Sequence, residues 1–300
     1  MKRAVSVSLG SSKRDKVVEV SLLGETVQIE RVGTDGDMEK AARLYQELDG
    51  KVDAFGVGGA DLGLMVDKTW YPLYSVQPMV RFVKQTPLAD GSGLKLTLER
   101  RVAQFMDKHI AEALQPKRVF VTGSADRWGM TMSFCEAGYE CAFGDLMFAL
   151  GIPIALHKPE QLKLFAALLM PVAGRLPFSW VYPIGEQQEK WVPKYEKWYN
   201  WATVIAGDCH YVKRHMPRRL DGKVVCVNTT TPDDVERFRS TGVRWLVTTT
   251  PVLDGRTFGT NMMEAALIAA SGSGRPLTHA ELDALIEKLG WTPALQRLNE

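Results

Sequence analysis

From residue 118 onward, short apolar runs alternate with stretches of helical period, and this alternation limits the possible folds more than any other feature of the chain. The runs Arg118–Thr122, Ile152–Leu156, Thr203–Ala206, Lys223–Val227 and Val243–Thr248 are interleaved with helical patterns near 127–137, 159–169, 232–240 and 259–270. Strands of nearly continuous apolar character belong to sheets covered on both faces. Parallel neighbours need a long crossover, which the intervening helices supply. The expectation is an α/β fold: a Rossmann-like parallel sheet over residues 101–300, with a C-terminal brace helix near 278–289 that opens at the capping box Thr278-His279-Ala280-Glu281.

The first hundred residues read differently, as an N-terminal α+β domain. Residues 4–9, 17–23 and 25–31 alternate or run β-branched and are broken by Gly10–Asp15 and Gly24, which suggests a β-meander of antiparallel character. Asp35-Gly36-Asp37 caps a helix over about 37–48, a strand follows at Val52–Val57, and Thr69–Lys84, aromatic and with two prolines, fits edge or irregular strands. Leu94, Leu98, Val102, Phe105, His109 and Ala113 then recur at helical spacing and join the halves. The Pro- and Trp-rich segment 171–201 has no clear period; its Trp and Tyr residues suggest either a homo-oligomer contact or a cover packed inward.

Charge narrows the partners. Lys+Arg 37 stand against Asp+Glu 35 and are interspersed, which leaves no footprint for nucleic acid or an anionic membrane and makes a small molecule the expected partner. The N-terminus lacks the apolar run of a signal peptide, and Leu162–Val172, interrupted by Lys163 and Pro171, falls far short of the roughly 20 residues of a membrane span. A cytoplasmic location is expected. The four cysteines have no CxxC spacing and no companion histidines at zinc-ligand intervals, so they read as reduced thiols and no metal is expected.

Ligands of open α/β sheets bind beyond the carboxyl ends of the strands. The turn Thr122-Gly123-Ser124-Ala125-Asp126-Arg127-Trp128-Gly129 joins a strand to a helix and is the first candidate for a phosphate, held by loop amides with Arg127 adding charge. Its bland alternative is an ordinary βα turn. Asp145 stands where an adenosine ribose would be bonded, or caps a short helix at 146–150. Asn228, Thr229 and Thr249 end the next strands with polar groups, and Arg256, Thr260 and Asn261 open a helix with donors suited to an anionic or polyhydroxylated substrate. Thr231 is also a good N-cap. Among five histidines, His210 beside Asp208 is the best acid/base candidate, and Lys95, a cation in the first turn of a helix, is the other.

Val5-Ser6-Val7-Ser8-Leu9-Gly10-Ser11-Ser12, Gly33-Thr34-Asp35-Gly36-Asp37 and Arg256-Thr257-Phe258-Gly259-Thr260-Asn261 resemble, across the whole chain, a bacterial family commonly labelled quinate 5-dehydrogenase. The resemblance implies a substrate domain before a Rossmann domain and NAD(P)-dependent oxidation of a ring hydroxyl of quinate or shikimate. The sequence departs from the shikimate dehydrogenase pattern: its G-x-G-G, Gly56 to Gly59, precedes the joining helix. The functional expectation is an oxidoreductase with NAD or NADP on Gly123, Ser124, Arg127, Trp128, Gly129, Asp145, Asn228, Thr229 and Thr249, substrate on Arg256, Thr260 and Asn261, and Lys95 or the Asp208–His210 pair as proton acceptor. The alternatives are a non-catalytic Rossmann-like binding protein or sensor that uses the same cleft, and a transferase for an anionic metabolite.

Overall fold

The computed structural model describes residues 1–177, 191–252 and 257–300. In chain order the strands are β1 (Lys2–Ser8), β2 (Lys16–Leu22), β3 (Glu25–Gly33), β4 (Ala54–Gly58), β5 (Gly63–Val66), β6 (Thr69–Pro72), β7 (Leu88–Ala89), β8 (Arg118–Val121), β9 (Glu140–Phe143), β10 (Val204–Gly207), β11 (Val224–Val227), β12 (Trp245–Thr248) and β13 (Ala294–Arg297). They build an α/β protein of two compact units, each with a parallel-rich sheet. The first holds Met1–Leu94, the described part of Leu169–Gln187, and Phe258–Gly290; the second holds Lys95–Leu168, the described part of Gln188–Thr257, and Trp291–Glu300. The helix His279–Leu289, with the capping box that Thr278 and Glu281 foretell, therefore belongs to the first unit. Among the described residues no helix is long and apolar enough to cross a membrane.

In the first unit the order is β2-β3-β1-β4-β7. β2 and β3 form the expected antiparallel hairpin, but β1 lies parallel to both β3 and β4, so the N-terminus is not a meander. The pleat explains how this sheet is covered twice. Val5, Val7, Phe55 and Val57 point to one face, where they pack with Ala41 and Tyr45 of the helix Met38–Leu48, and the Tyr45 hydroxyl donates to the Val7 and Gly56 carbonyls. Ser6 and Gly56 point to the other face, where the Asn261 amide donates to Ser6 Oγ at 2.7 Å and a Cβ at Gly56 would crowd the Asn261 backbone.

The second unit has the order β13-β12-β11-β10-β8-β9, parallel except for β13. β8 leads to β9 on one side, and the chain then returns to β10 on the other, so the strand order reverses between β8 and β10. Phe120, Ile205, Val225, Val227 and Leu246 pack with Val212 and Phe238 from the helices Cys209–His215 and Pro232–Ser240. The run Ile152–Leu156 makes no strand, only one bridge from Leu156 to Phe143; Pro153 breaks it, and Ile152 and Ile154 stay exposed. The joining segment is helical but interrupted: Ser92–Leu96, a 3-10 turn at Glu99–Arg101, then Val102–Ile110. Of the aromatic cover, residues 178–190 lie outside the described ones. Beyond them Trp191, though exposed, donates to the Met216 carbonyl, half-buried Tyr195 donates to that of Met147, and Tyr199 is buried against Phe120.

Gly129 sits where the helix Trp128–Glu136 crosses the backbone at Lys95 and Leu96; a Cβ there would collide with the Lys95 carbonyl oxygen and lie 3.0 Å from Leu96 Cα. Neither neighbour is a side chain that can swing away. Gly129→Ala is expected to cost about 1–3 kcal/mol or more of stability, as overpacking does. Urea unfolding checks this, and an unchanged midpoint would remove the close-packing role.

Candidate functional site

Because β8 to β12 run parallel, their carboxyl ends come to one edge of the second sheet and carry Thr122–Arg127, Asp145, Asp208, Asn228 and Thr249 there. That edge is where the sequence places a ligand. The loop after β8 has its amides aimed as expected, yet their partner is the protein's own: Asp145 accepts from the Ser124 and Ala125 amides at 3.1 and 2.9 Å. Burial carries the Asp145 carboxyl up to about 6 against the pull of those amides. Ser124 Oγ donates to the Val121 carbonyl and Thr131 Oγ1 to that of Ser124, which fixes the loop further.

Arg127 follows and spans the point where the strand order reverses. Its Nη2 meets Asp208 Oδ2 at 2.9 Å, its Nη1 meets Glu99 Oε1 at 2.6 Å, and its Nε lies 3.3 Å from Asp126 Oδ2. Glu99 is fully buried and Arg127 is 4% exposed. Lys95 Nζ joins through Asp126 Oδ1 at 2.6 Å, Thr249 Oγ1 donates to Glu99 Oε1, and the Asn228 amide donates to Asp208 Oδ2 at 2.8 Å. Three carboxyl groups thus face two cations in one connected cluster. Burial raises the Glu99 carboxyl, with Arg127 and Lys95 pulling the other way; burial also acts on Asp208, but Arg127, His210 and a backbone amide outweigh it and hold that carboxyl below its ordinary value.

The remaining sequence candidates are divided between this edge and places away from it. Asp208 is the N-cap of the helix Cys209–His215 and accepts the His210 backbone amide at 2.9 Å, while His210 itself is half-buried. Gly207 before it has φ +138, and a Cβ there would strike Thr122 Oγ1, so only glycine lets β10 end against β8. Gly123, Asp126, Asn228 and Thr229 are half-exposed at the rim, and the nearest atoms to a Cβ at Gly123 would be the Tyr211 ring, 3.8 Å away. Trp128 is buried. Thr260 and Asn261 belong to the first unit and pack the helix Thr260–Ser271 onto its sheet, and Arg256 lies outside the described residues. Among the described residues no group of three or more His, Cys, Asp or Glu side chains could hold a metal ion.

Sequence reasoning passed over Glu99 and gave Asp126 no role. Glu99 stands four residues from Lys95 and before Arg100 and Arg101, the pattern of a solvated helix face. Only the interrupted helix turns it inward, where Oε2 accepts no hydrogen bond among the described residues.

Residues 93–298 match the family described as a domain of unknown function, DUF8754, and the chain belongs to that family. Residues 3–90 match a second one, DUF8753. No curated protein matches the chain. Similar solved structures include a galactofuranose binding protein (12% identity, 99% of this chain and 95% of that one, TM-score 0.35). An ABC transporter solute binding protein from Burkholderia graminis C4D1M in complex with D-arabinose shares 10% identity over 90% of this chain and 87% of its own, TM-score 0.36. A glucose-galactose binding protein from Geobacillus stearothermophilus shares 9% identity over 99% and 97%, TM-score 0.38.

The family matches overturn the resemblance to the quinate 5-dehydrogenase family, since together they take in residues 3–90 and 93–298 and neither carries that label. The reading as an NAD(P)-dependent oxidoreductase of quinate or shikimate falls with it. The segments that carried the likeness have structural duties: Ser8 and Ser11 take the buried Arg31 guanidinium, Thr34 and Gly36 bond back to Ser8 and Leu9, and Asn261 bonds Ser6.

Removing one partner of a buried ion pair leaves the others uncompensated. Arg127→Met is therefore expected to lower stability by about 3–5 kcal/mol, and a denaturation midpoint within error of the parent would sink the assignment. Asp145 supplies a pH test. Its folded value, about 6, lies above an unfolded one of roughly 3.9, so its contribution is complete below pH ~4 and is lost as pH rises through about 6. Urea titrations from pH 4 to 7 should show the parent losing about 2–3 kcal/mol relative to Asp145→Asn; parallel curves would refute it.

Proposed function

We propose that this chain is a non-catalytic binding protein for a small, uncharged, hydroxyl-rich metabolite of the monosaccharide class, seated on the carboxyl ends of β8, β10, β11 and β12. One observation carries the reading: the groups that would recognise a phosphate are already held by carboxylates. Asp145 occupies the Ser124 and Ala125 amides, and Glu99 and Asp208 occupy the Arg127 guanidinium. An anionic ligand would meet these carboxylates at close range and be repelled. A neutral polyol would not, because each hydroxyl both donates and accepts. It can donate to Asp126 and accept from Asn228 or Thr229, all half-exposed at the rim.

The same commitments argue for binding without turnover. Lys95 is held on Asp126, and Asp208 is divided among a helix amide, Arg127 and Asn228, so neither of these two side chains is set apart for proton transfer. The sugars named for the three solved structures belong to those proteins.

A thermal-shift and calorimetric panel of neutral monosaccharides and polyols, sugar phosphates, and oxidised and reduced NAD and NADP tests this. At least one neutral sugar is expected to raise the melting temperature saturably, by about 2.7 kcal/mol of added stability at a hundredfold excess over Kd, and to be recovered unchanged. Thr229→Arg should abolish the shift, since it crowds the rim without touching the buried network. A response confined to phosphorylated or nicotinamide ligands, or consumption of the ligand, would overturn the reading.

A further inference from the structure

The helix Trp128–Glu136 and the strand β9 each carry a cysteine, and the two thiols touch: Cys135 Sγ lies 3.7 Å from Cys141 Sγ. We propose that Cys135 and Cys141 form a reversible disulfide in response to peroxide, a redox modification site independent of the ligand proposal above. Three features of the pair support it. A disulfide requires sulfurs at about 2 Å, so the two atoms need close only a short gap, with a turn at 137–139 between their elements to absorb it. Exposure is unequal: Cys135 is half-buried and reachable from solvent, while Cys141 is buried. The thiols also differ in environment: the contact with Cys141 favours the Cys135 thiolate, while Cys141 Sγ donates to the Tyr139 carbonyl at 3.3 Å and is buried, which keeps its proton in place.

These differences divide the roles. The Cys135 thiolate attacks one oxygen of hydrogen peroxide, the O–O bond breaks, and the departing hydroxide takes up a proton to leave as water, with Cys135 now a sulfenic acid. Cys141 sulfur then attacks Cys135 sulfur, the S–O bond breaks, and the hydroxide leaves as a second water with the Cys141 proton. Two thiols lose two electrons and peroxide gains them. The other two cysteines stand apart from this chemistry: Cys209 and Cys226 are both buried, and Cys226 packs inside a strand where burial pushes its thiol up.

The position gives the bond a consequence. The helix that bears Cys135 begins one residue after Arg127, and the strand that bears Cys141 ends two residues before Asp145. A covalent link would hold together the elements that present these two groups at the strand ends. The test uses the full wild-type chain: brief treatment with hydrogen peroxide, alkylation under denaturing conditions, and cleavage after glutamate, which separates the two cysteines at Glu136 and Glu140 unless a disulfide joins them. The expected result is loss of two of the four alkylatable thiols, a mass lower by two hydrogens, a linked Cys135–Cys141 pair, and full recovery with dithiothreitol. Cys141→Ser should instead leave a sulfenic acid at Cys135 that dimedone traps. Four reactive thiols after peroxide, a bond mapped to another pair, or direct conversion of wild-type Cys135 to sulfinic acid would overturn the proposal.

Discussion

The second unit is organised around one guanidinium. Arg127 lies at the reversal point of the sheet with Glu99 on one nitrogen and Asp208 on another, all three nearly withdrawn from water. Such a cluster is expensive to bury and gains little over an apolar filling, but once present no member can be lost cheaply. Its members come from the interrupted helical segment, the loop after β8 and the start of the helix after β10, so one side chain holds three separate parts of the chain in register. Asn228 and Thr249 extend the network across the remaining parallel strands.

That arrangement reverses the usual use of a βα turn. In dinucleotide-binding folds, loop amides and a nearby cation are left for the ligand's phosphate. Here the protein supplies the anion itself through Asp145, and its cation is neutralised from two sides. The resulting edge is polar, carries more carboxyl groups than cations, and offers both hydrogen-bond donors and acceptors.

The parallel sheet was legible because four-residue apolar strands such as Val224–Val227 cannot be mistaken for anything half-solvated, and the helices between them leave no other connection. The edges were not. β9 begins with Glu140 and is only four residues long, and β13 reads Ala-Leu-Gln-Arg, half-exposed and antiparallel. In the N-terminal half the three strand patterns were visible, but a hairpin and a crossover look alike until the pairing of β1 is known, since nothing local states that it turns to β3 and β4 alike. At the strand ends, the sequence drew attention to these loops because polar groups there stand out. It could not assign their partners: Asp145, Asp208 and Glu99 are matched to groups 20, 81 and 28 residues away, and only the fold brings those together.

The first unit borrows its second cover from far along the chain. Its sheet is complete by Ala89, but the helix that closes the face of Ser6 and Gly56 does not begin until Thr260. During synthesis that face must wait for most of the protein to be made. In its two central strands it is lined by Ala4, Ser6, Ser8, Ala54, Gly56 and Gly58, small residues that offer little apolar area to a stray partner. The composition of one sheet face thus doubles as protection for a half-finished chain, a demand set by the order of translation and not by the finished fold.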